Sequence, residues 1–226
     1  MARFGDDATT FHVQWGGVSF VHESMNRQDT MWTVGQLVQL AKQAAERATA
    51  RLDRCAPPID PKQIPLVVDD DGVGGGVTDR LRELGYFVRA VRAGSTAHAP
   101  SDYPNLRSEL WFQAADQAHK GKMSLAKLPT TVRQKLKLQA MAPRWKLDSE
   151  GRRVVERKDE TKKRLGRSPD DMDALNLAYL PMPRVEIPVV QRPPPRSLLP
   201  DPQSQRQDIL QPRGFRDKQA RLRPRG

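Results

Sequence analysis

The stretch Ile64-Pro-Leu-Val-Val-Asp-Asp-Asp-Gly-Val-Gly-Gly-Gly-Val77 decides how the chain is read. A short apolar run bounded by turn residues reads as a buried strand, so Leu66, Val67 and Val68 are expected inside a sheet, with Asp69 emerging at its carboxyl end. In open α/β sheets that edge is where ligands bind. Three adjacent acids cannot all be buried there without a counter-charge, which points to a divalent metal. Gly72, Gly74, Gly75 and Gly76 permit a sharp turn into a helix predicted over 77–84. The spacing argues against a phosphate-cradling loop and leaves a plain glycine-rich βα turn with solvated aspartates as the other reading. Gly-x-x-x-x-Gly-Lys-Ser/Thr occurs nowhere, and Gly-x-Gly-x-x-Gly fails from Gly72, which meets Val77, and from Gly74, which meets Asp79.

Outward from this stretch, 226 residues allow one sizeable domain plus appendages. The single cysteine, Cys55, excludes an intramolecular disulfide and suits a reducing cytoplasm. No apolar run approaches the roughly 18 residues of a membrane span, and the first seven residues lack a signal peptide's apolar core. A cytoplasmic protein with no membrane partner is expected. The net charge of +11 is unevenly spread: residues 183–226 carry ten Lys or Arg against four acids, and nine of the 19 prolines. The expected organisation is therefore a folded domain over 1–182 and a Pro/Arg-rich, disordered basic tail over 183–226. Such a tail is either attracted to nucleic acid or simply solvated.

Residues 8–15 alternate polar with apolar and lead through Gly16-Gly17 into 18–22, a β-hairpin signal in which His12 and His22 read as ordinary strand residues. Asp29 or Thr30 starts a long helix to about Leu52, with an apolar stripe of Val34, Leu37, Leu40, Ala41, Ala45 and Ala48. After the glycine-rich turn and its helix, Gly85 is a stop and 86–91 a second strand, so the strand, helix, strand order predicts a parallel pair. Helices follow over 105–120 and from Pro129 to about Ala140, then a second hairpin over 144–156. Ser168 as N-cap and Pro169 as first residue predict a final helix to about Leu180. It presents Asp170 and Asp173 on one face.

If that helix crosses the edge where Asp69 emerges, carboxylates distant in sequence converge. Hard cations such as Mg²⁺ or Mn²⁺ take oxygen ligands, and two ions about 3.5–4 Å apart can drive phosphodiester cleavage. Asp70 and Asp71 are further possible ligands. Lys158, Lys162, Lys163, Arg164 and Arg167 form a stripe suited to DNA phosphates. A charge run by itself is usually only a solvated face.

Four motifs in order then resemble the nuclease domain of the large terminase subunit of tailed bacteriophages. They are Ala2-Arg-Phe-Gly-Asp-Asp7, Val68-Asp-Asp-Asp-Gly-Val-Gly-Gly-Gly-Val77, Tyr103-Pro-Asn-Leu-Arg-Ser-Glu-Leu-Trp111, and Glu156-Arg-Lys158 leading to Arg164-Leu-Gly-Arg-Ser-Pro-Asp-Asp-Met-Asp-Ala-Leu175. The resemblance covers roughly residues 2–180. It implies an RNase H-like α/β fold, a mixed sheet flanked by helices, and a two-metal-ion endonuclease that cuts concatemeric viral DNA during genome packaging. Asp69 and Asp173 become metal-binding catalytic carboxylates, Asp170 a third or auxiliary ligand, and Asp7 a possible assistant. Implied partners are double-stranded DNA, the terminase ATPase domain, the small terminase subunit and the portal protein, in a bacterial cytoplasm. The family's first-strand aspartate would fall just before Met1, so a first strand truncated at the N-terminus and a missing upstream ATPase domain are expected. Two further readings are a non-catalytic DNA-binding or packaging module or remnant, and another RNase H-like nuclease of resolvase type.

Overall fold

The buried parallel pair predicted from the opening stretch forms. In the computed structural model, which describes residues 8–26, 28–52, 56–71 and 74–181, β3 (Leu66–Asp69) pairs with β4 (Val88–Val91) from Leu66 opposite Val88 to Asp69 opposite Val91. Between them runs α2 (Gly74–Glu83). Both faces of the pair are covered, which is why its sequence reads as a continuous apolar run rather than an alternating one. On one face Leu66 and Val68 pack with Val34 and Ala41 of α1 (Thr30–Thr49) and with Val77 and Leu81 of α2. On the other, Val67 and Val91 pack with Leu106 and Leu110 of α3 (Leu106–His119) and with Leu177 and Leu180 at the chain's last described helix. Asp7, Gly72 and the tail over 183–226 lie outside the described residues.

The hairpin is β1 (Thr9–Trp15) against β2 (Val18–Met25), antiparallel, with a bulge between Val13 and Gln14. Gly16 and Gly17 both take left-handed angles, φ 56° and 81°, as a two-residue turn between right-twisted strands requires. Gly17 also sits where a Cβ would overlap the carbonyl oxygen of Lys122. Its own carbonyl accepts from the Ser124 N–H at 2.7 Å and from the Tyr179 hydroxyl at 2.8 Å. After α3 come α4 (Thr130–Ala140), a short hairpin of β5 (Trp145–Leu147) and β6 (Arg153–Val155), then α5 (Lys158–Leu165) and α6 (Asp170–Ala178). A core of Trp111, Ala114, Leu136, Val155, Met172 and Leu175 joins these elements.

Parallel and antiparallel pairing therefore coexist, distributed over three two-stranded sheets among the described residues. Between β1 and β3 lies a cavity of about 960 Å³, bordered by residues 8–17 and 64–69, with Leu37, Leu40 and Ala41 of α1 and Ala174 and Leu177 of α6 also in its wall.

Three local expectations change. The glycines at 74–76 form the first turn of α2 rather than a loop, because Val77, Thr78 and Leu81 are completely buried and the helix begins early enough to seat them, despite glycine's penalty of roughly 1 kcal/mol per residue. Residues 158–165, read as a charge run, are a helix stopped by Gly166 at φ 73°. Only Thr161 of that helix is buried, so no apolar periodicity announced it. Ser168 does not cap α6; its hydroxyl donates to Asp170 Oδ1 at 2.6 Å instead.

Gly17→Ala is expected to destabilise the fold by about 2 kcal/mol or more, since strain at φ 81° adds to overlap with backbone. Gly16→Ala, with open space around it, should cost only the angle penalty of about 1 kcal/mol. Urea midpoints of the two variants check this ordering.

Candidate functional site

Asp69 is the last residue of β3, and burial pushes its carboxyl above the ordinary carboxylate range, against the pull of the Asp71 N–H and the Lys158 ammonium. The Asp71 N–H donates to its Oδ1 at 3.3 Å. From the other side, α6 enters with Asp170, Asp171 and Asp173 in its first turn, where the helix dipole favours anions. Asp69, Asp170, Asp173 and Lys158 line one end of the same cavity.

Lys158, the first residue of α5, holds this end together. Its Nζ lies 2.9 Å from Asp170 Oδ1 and 3.0 Å from Asp173 Oδ2. Burial alone would lower the ammonium's pKa, but Asp173 and Asp170 outweigh it and raise it above that of an ordinary lysine. Asp170 shows the converse: burial raises its carboxyl, while Lys158, the Ser168 hydroxyl and the Ala8 N–H together bring it below the usual range. The Ala8 N–H reaches Asp170 Oδ2 at 2.9 Å, which ties the start of β1 to α6. Asp173 Oδ1 accepts from Arg107 Nη1 at 3.3 Å, and Arg107 stacks over Trp111.

The other acids have different work. Asp70 accepts from Thr78 Oγ1 at 2.9 Å and pairs with Arg92 at 3.2 Å, while Asp71 accepts from the Ala93 N–H at 3.1 Å. Together they fasten the turn after β3 to the loop after β4. Asp171 is buried and accepts from His22 Nε2 at 2.9 Å, Lys135 at 2.8 Å and Gln139 Nε2 at 2.6 Å. Burial pushes its carboxyl up, but these donors outweigh that and hold it at about 2. Behind His22, His12 contacts His22 at 2.9 Å through Nδ1 and Ser19 Oγ at 2.8 Å through Nε2. Burial, with His22 beside it, lowers His12 to about 3. The histidines read from sequence as ordinary strand residues thus form a polar chain that anchors α6. No spacing rule could link His22 with Asp171, 149 residues away.

The basic stripe is divided. Lys158 turns inward to the acids. Arg164 pairs with Glu156 at 2.6 Å and Lys163 with Glu160 at 2.9 Å, while Arg167 is exposed. The Arg164 contact holds Glu156 at about 2. Arg107 and the inward role of Lys158 were not legible as site features from spacing.

Among the described residues no three His, Cys, Asp or Glu side chains are already arranged around a metal position. What the cavity end offers is a set of hard carboxylate donors, two of them, Asp170 and Asp173, on the Lys158 ammonium. The donor chemistry fits a divalent ion of the Mg²⁺ class, and binding one at Asp170 or Asp173 requires Lys158 to release an oxygen.

Neither a protein-family model nor a curated protein sequence matches the chain. Solved structures do. The nuclease domain of the large terminase subunit gp2 of bacterial virus Sf6 superposes with a TM-score of 0.62 at 18% identity, covering 81% of this chain and 86% of that one. A lysine-to-alanine variant of that domain, with manganese and β-thujaplicinol, matches equally. The large terminase nuclease from thermophilic phage G20c with bound magnesium gives 0.50 at 20% identity, over 78% of this chain and 76% of that one. The fold is thus the RNase H-like α/β fold of phage large-terminase nuclease domains. No helix among the described residues is long and apolar enough to cross a membrane.

The His12 environment gives a pH signature. Between about pH 6 and 4 the unfolded chain binds a proton at this imidazole that the native state does not, so stability falls on acidification by up to about 1.4 kcal/mol per pH unit. Asp171, depressed to about 2, adds its loss only below about pH 4. His12→Gln should remove the first contribution. Urea midpoints for both proteins from pH 7 to 4 check this, and equal slopes would contradict it.

Proposed function

We propose that this chain is a metal-dependent DNA endonuclease domain of the phage large-terminase type, acting on double-stranded viral DNA during genome packaging. The observation that carries the reading is that Asp69 from β3 lines the same cavity as Asp170 and Asp173 from α6, which share the Lys158 ammonium, in a fold like that of terminase nuclease domains. Asp69 and Asp173 would hold the divalent ions, Mg²⁺ or Mn²⁺, with Asp170 as auxiliary. Solved relatives in the fold carry manganese or magnesium. Two such ions, when bound, activate water and stabilise the leaving oxygen of a phosphodiester.

The chain's own groups supply the rest. Burial keeps Asp69 in a medium where charge interactions are strong. Asp171, locked by His22, Lys135 and Gln139, fixes the helix turn that presents its neighbours on either side. Arg107 steadies one oxygen of Asp173. Lys158 offsets the mutual repulsion of Asp170 and Asp173 until a stronger cation takes over. As partners the reading carries the terminase ATPase domain, the small terminase subunit and the portal protein.

Supercoiled plasmid should be nicked in Mg²⁺ or Mn²⁺ and left intact in chelator. Asp69→Ala and Asp173→Ala should each lower nicking by at least about 100-fold, and undiminished cutting in both would remove the site assignment. One observation favours a second reading, a non-catalytic DNA-binding module: Asp170 and Asp173 are already satisfied by Lys158. It predicts salt-dependent DNA binding without cleavage at any metal concentration. Under either reading, removal of residues 183–226 should flatten the salt dependence of binding, because ten cations leave with them.

A further inference from the structure

On the stripe where the sequence is most basic, three of the positive charges are already taken up by carboxylates. On α5, Arg164 and Lys163 are spent on Glu156 and Glu160, and Lys158 on Asp170 and Asp173. Residues 130–147, which span α4 and β5, contain five cations and no acid. Lys135 is taken up by Asp171. Arg133, Lys137, Arg144 and Lys146 are exposed, and none has a carboxylate partner among the described residues. The acids of the adjoining hairpin turn offset them by one charge at most, because Arg152 pairs with both Asp148 at 2.8 Å and Glu150 at 3.1 Å.

This surface is joined to the acidic site through one residue. The Glu156 N–H donates to the Arg144 carbonyl at 2.9 Å, while the Glu156 carbonyl faces Arg107 Nε at 3.5 Å, and Arg107 holds Asp173. Arg164, bound to Glu156, also donates to the Ala142 carbonyl and so fixes the loop between α4 and β5. The hairpin is braced from beneath, where Arg153 lies over the rings of Tyr103 and Phe112, 4.6 and 4.8 Å from their centroids. Trp145, between Arg144 and Lys146, packs edge-on against Phe112 yet leaves 57% of its surface exposed. A rigid platform of unpaired cations with a half-open indole, adjoining a set of carboxylates, complements an anionic polymer in charge and in surface.

We infer that Lys137, Arg144 and Lys146, with Trp145 among them, form the DNA-backbone contact surface that carries duplex DNA up to the acidic site. This rests on the nuclease reading for its purpose, though not for its measurement. Lys and Arg supply phosphate contacts and Trp145 a ring for the sugar edge. The α5 residues chiefly hold the local structure together.

The test is binding of the full chain to a fluorescent duplex of about 25 base pairs in chelator, across a range of salt concentrations. Each phosphate contact contributes about 0.9 to the slope of log affinity against log salt. The triple variant Lys137→Ala, Arg144→Ala, Lys146→Ala should flatten that slope by about 2–3, while Lys163→Ala changes it by less than about 0.5. Thermal melting within a few degrees of the parent keeps the comparison clean, since the three side chains are exposed. An unchanged slope in the triple variant overturns the inference, and would instead leave this face to an acidic protein segment. Failure of the nuclease reading is separate: it shows as a parent protein that binds duplex but does not nick it when Mg²⁺ or Mn²⁺ is added. If nicking is present, the triple variant should raise KM with kcat within about twofold.

Discussion

Three carboxylates can share the wall of a half-buried cavity only if a cation shares it with them. Here the cation is covalently part of the chain. The Lys158 ammonium, 2.9–3.0 Å from Asp170 and Asp173, offsets the repulsion and desolvation that would otherwise keep α6 from approaching the carboxyl end of β3. The rest of the arrangement follows from that constraint. Burial raises Asp69, the ion pair lowers Asp170, and Arg107 attends to the one oxygen of Asp173 that Lys158 does not reach. A site built this way sets two of the chain's own cations against its three carboxylates.

Holding the acids there also requires that α6 not rotate or slide. That role falls to Asp171, which lies between the two site residues in sequence but points the opposite way, into a pocket of His22, Lys135 and Gln139. The Met172 N–H adds a bond to Gln139 Oε1 at 3.0 Å. Removing one partner of such a buried charge is far more disruptive than removing an exposed ion pair. Neighbouring residues on one helical turn thus divide into a set that faces the cavity and one that anchors it.

Much of the fold was legible because its signals are local. The alternation over 8–15, the paired glycines at 16–17, Asp29 as a helix start and the apolar run before Asp69 each rest on a few adjacent residues, and each corresponds to an observed element. The failures are equally instructive. Helix α5 went unread because it buries only Thr161, so amphipathic periodicity had nothing to register. The glycines at 74–76 suggested a loop because propensity spoke against a helix, and burial of Val77 and Leu81 overruled it. The acids of the opening stretch look alike as letters, yet Asp69 borders the cavity while Asp70 and Asp71 fasten loops.

By itself the sequence determined most of the segments that become strands and helices, that acids stand at a strand end and at a helix start, and that the chain is strongly basic. Those properties depend on neighbours within a turn or two. Tertiary structure alone decided which charges meet. It drew Lys158 away from the basic stripe into the acidic pocket, spent Arg164 on Glu156, paired His22 with Asp171 and left Lys137, Arg144 and Lys146 without a carboxylate partner among the described residues. The physical reason is that electrostatic partnership is a matter of distance and burial in space, and neither is encoded in the spacing of residues along the chain.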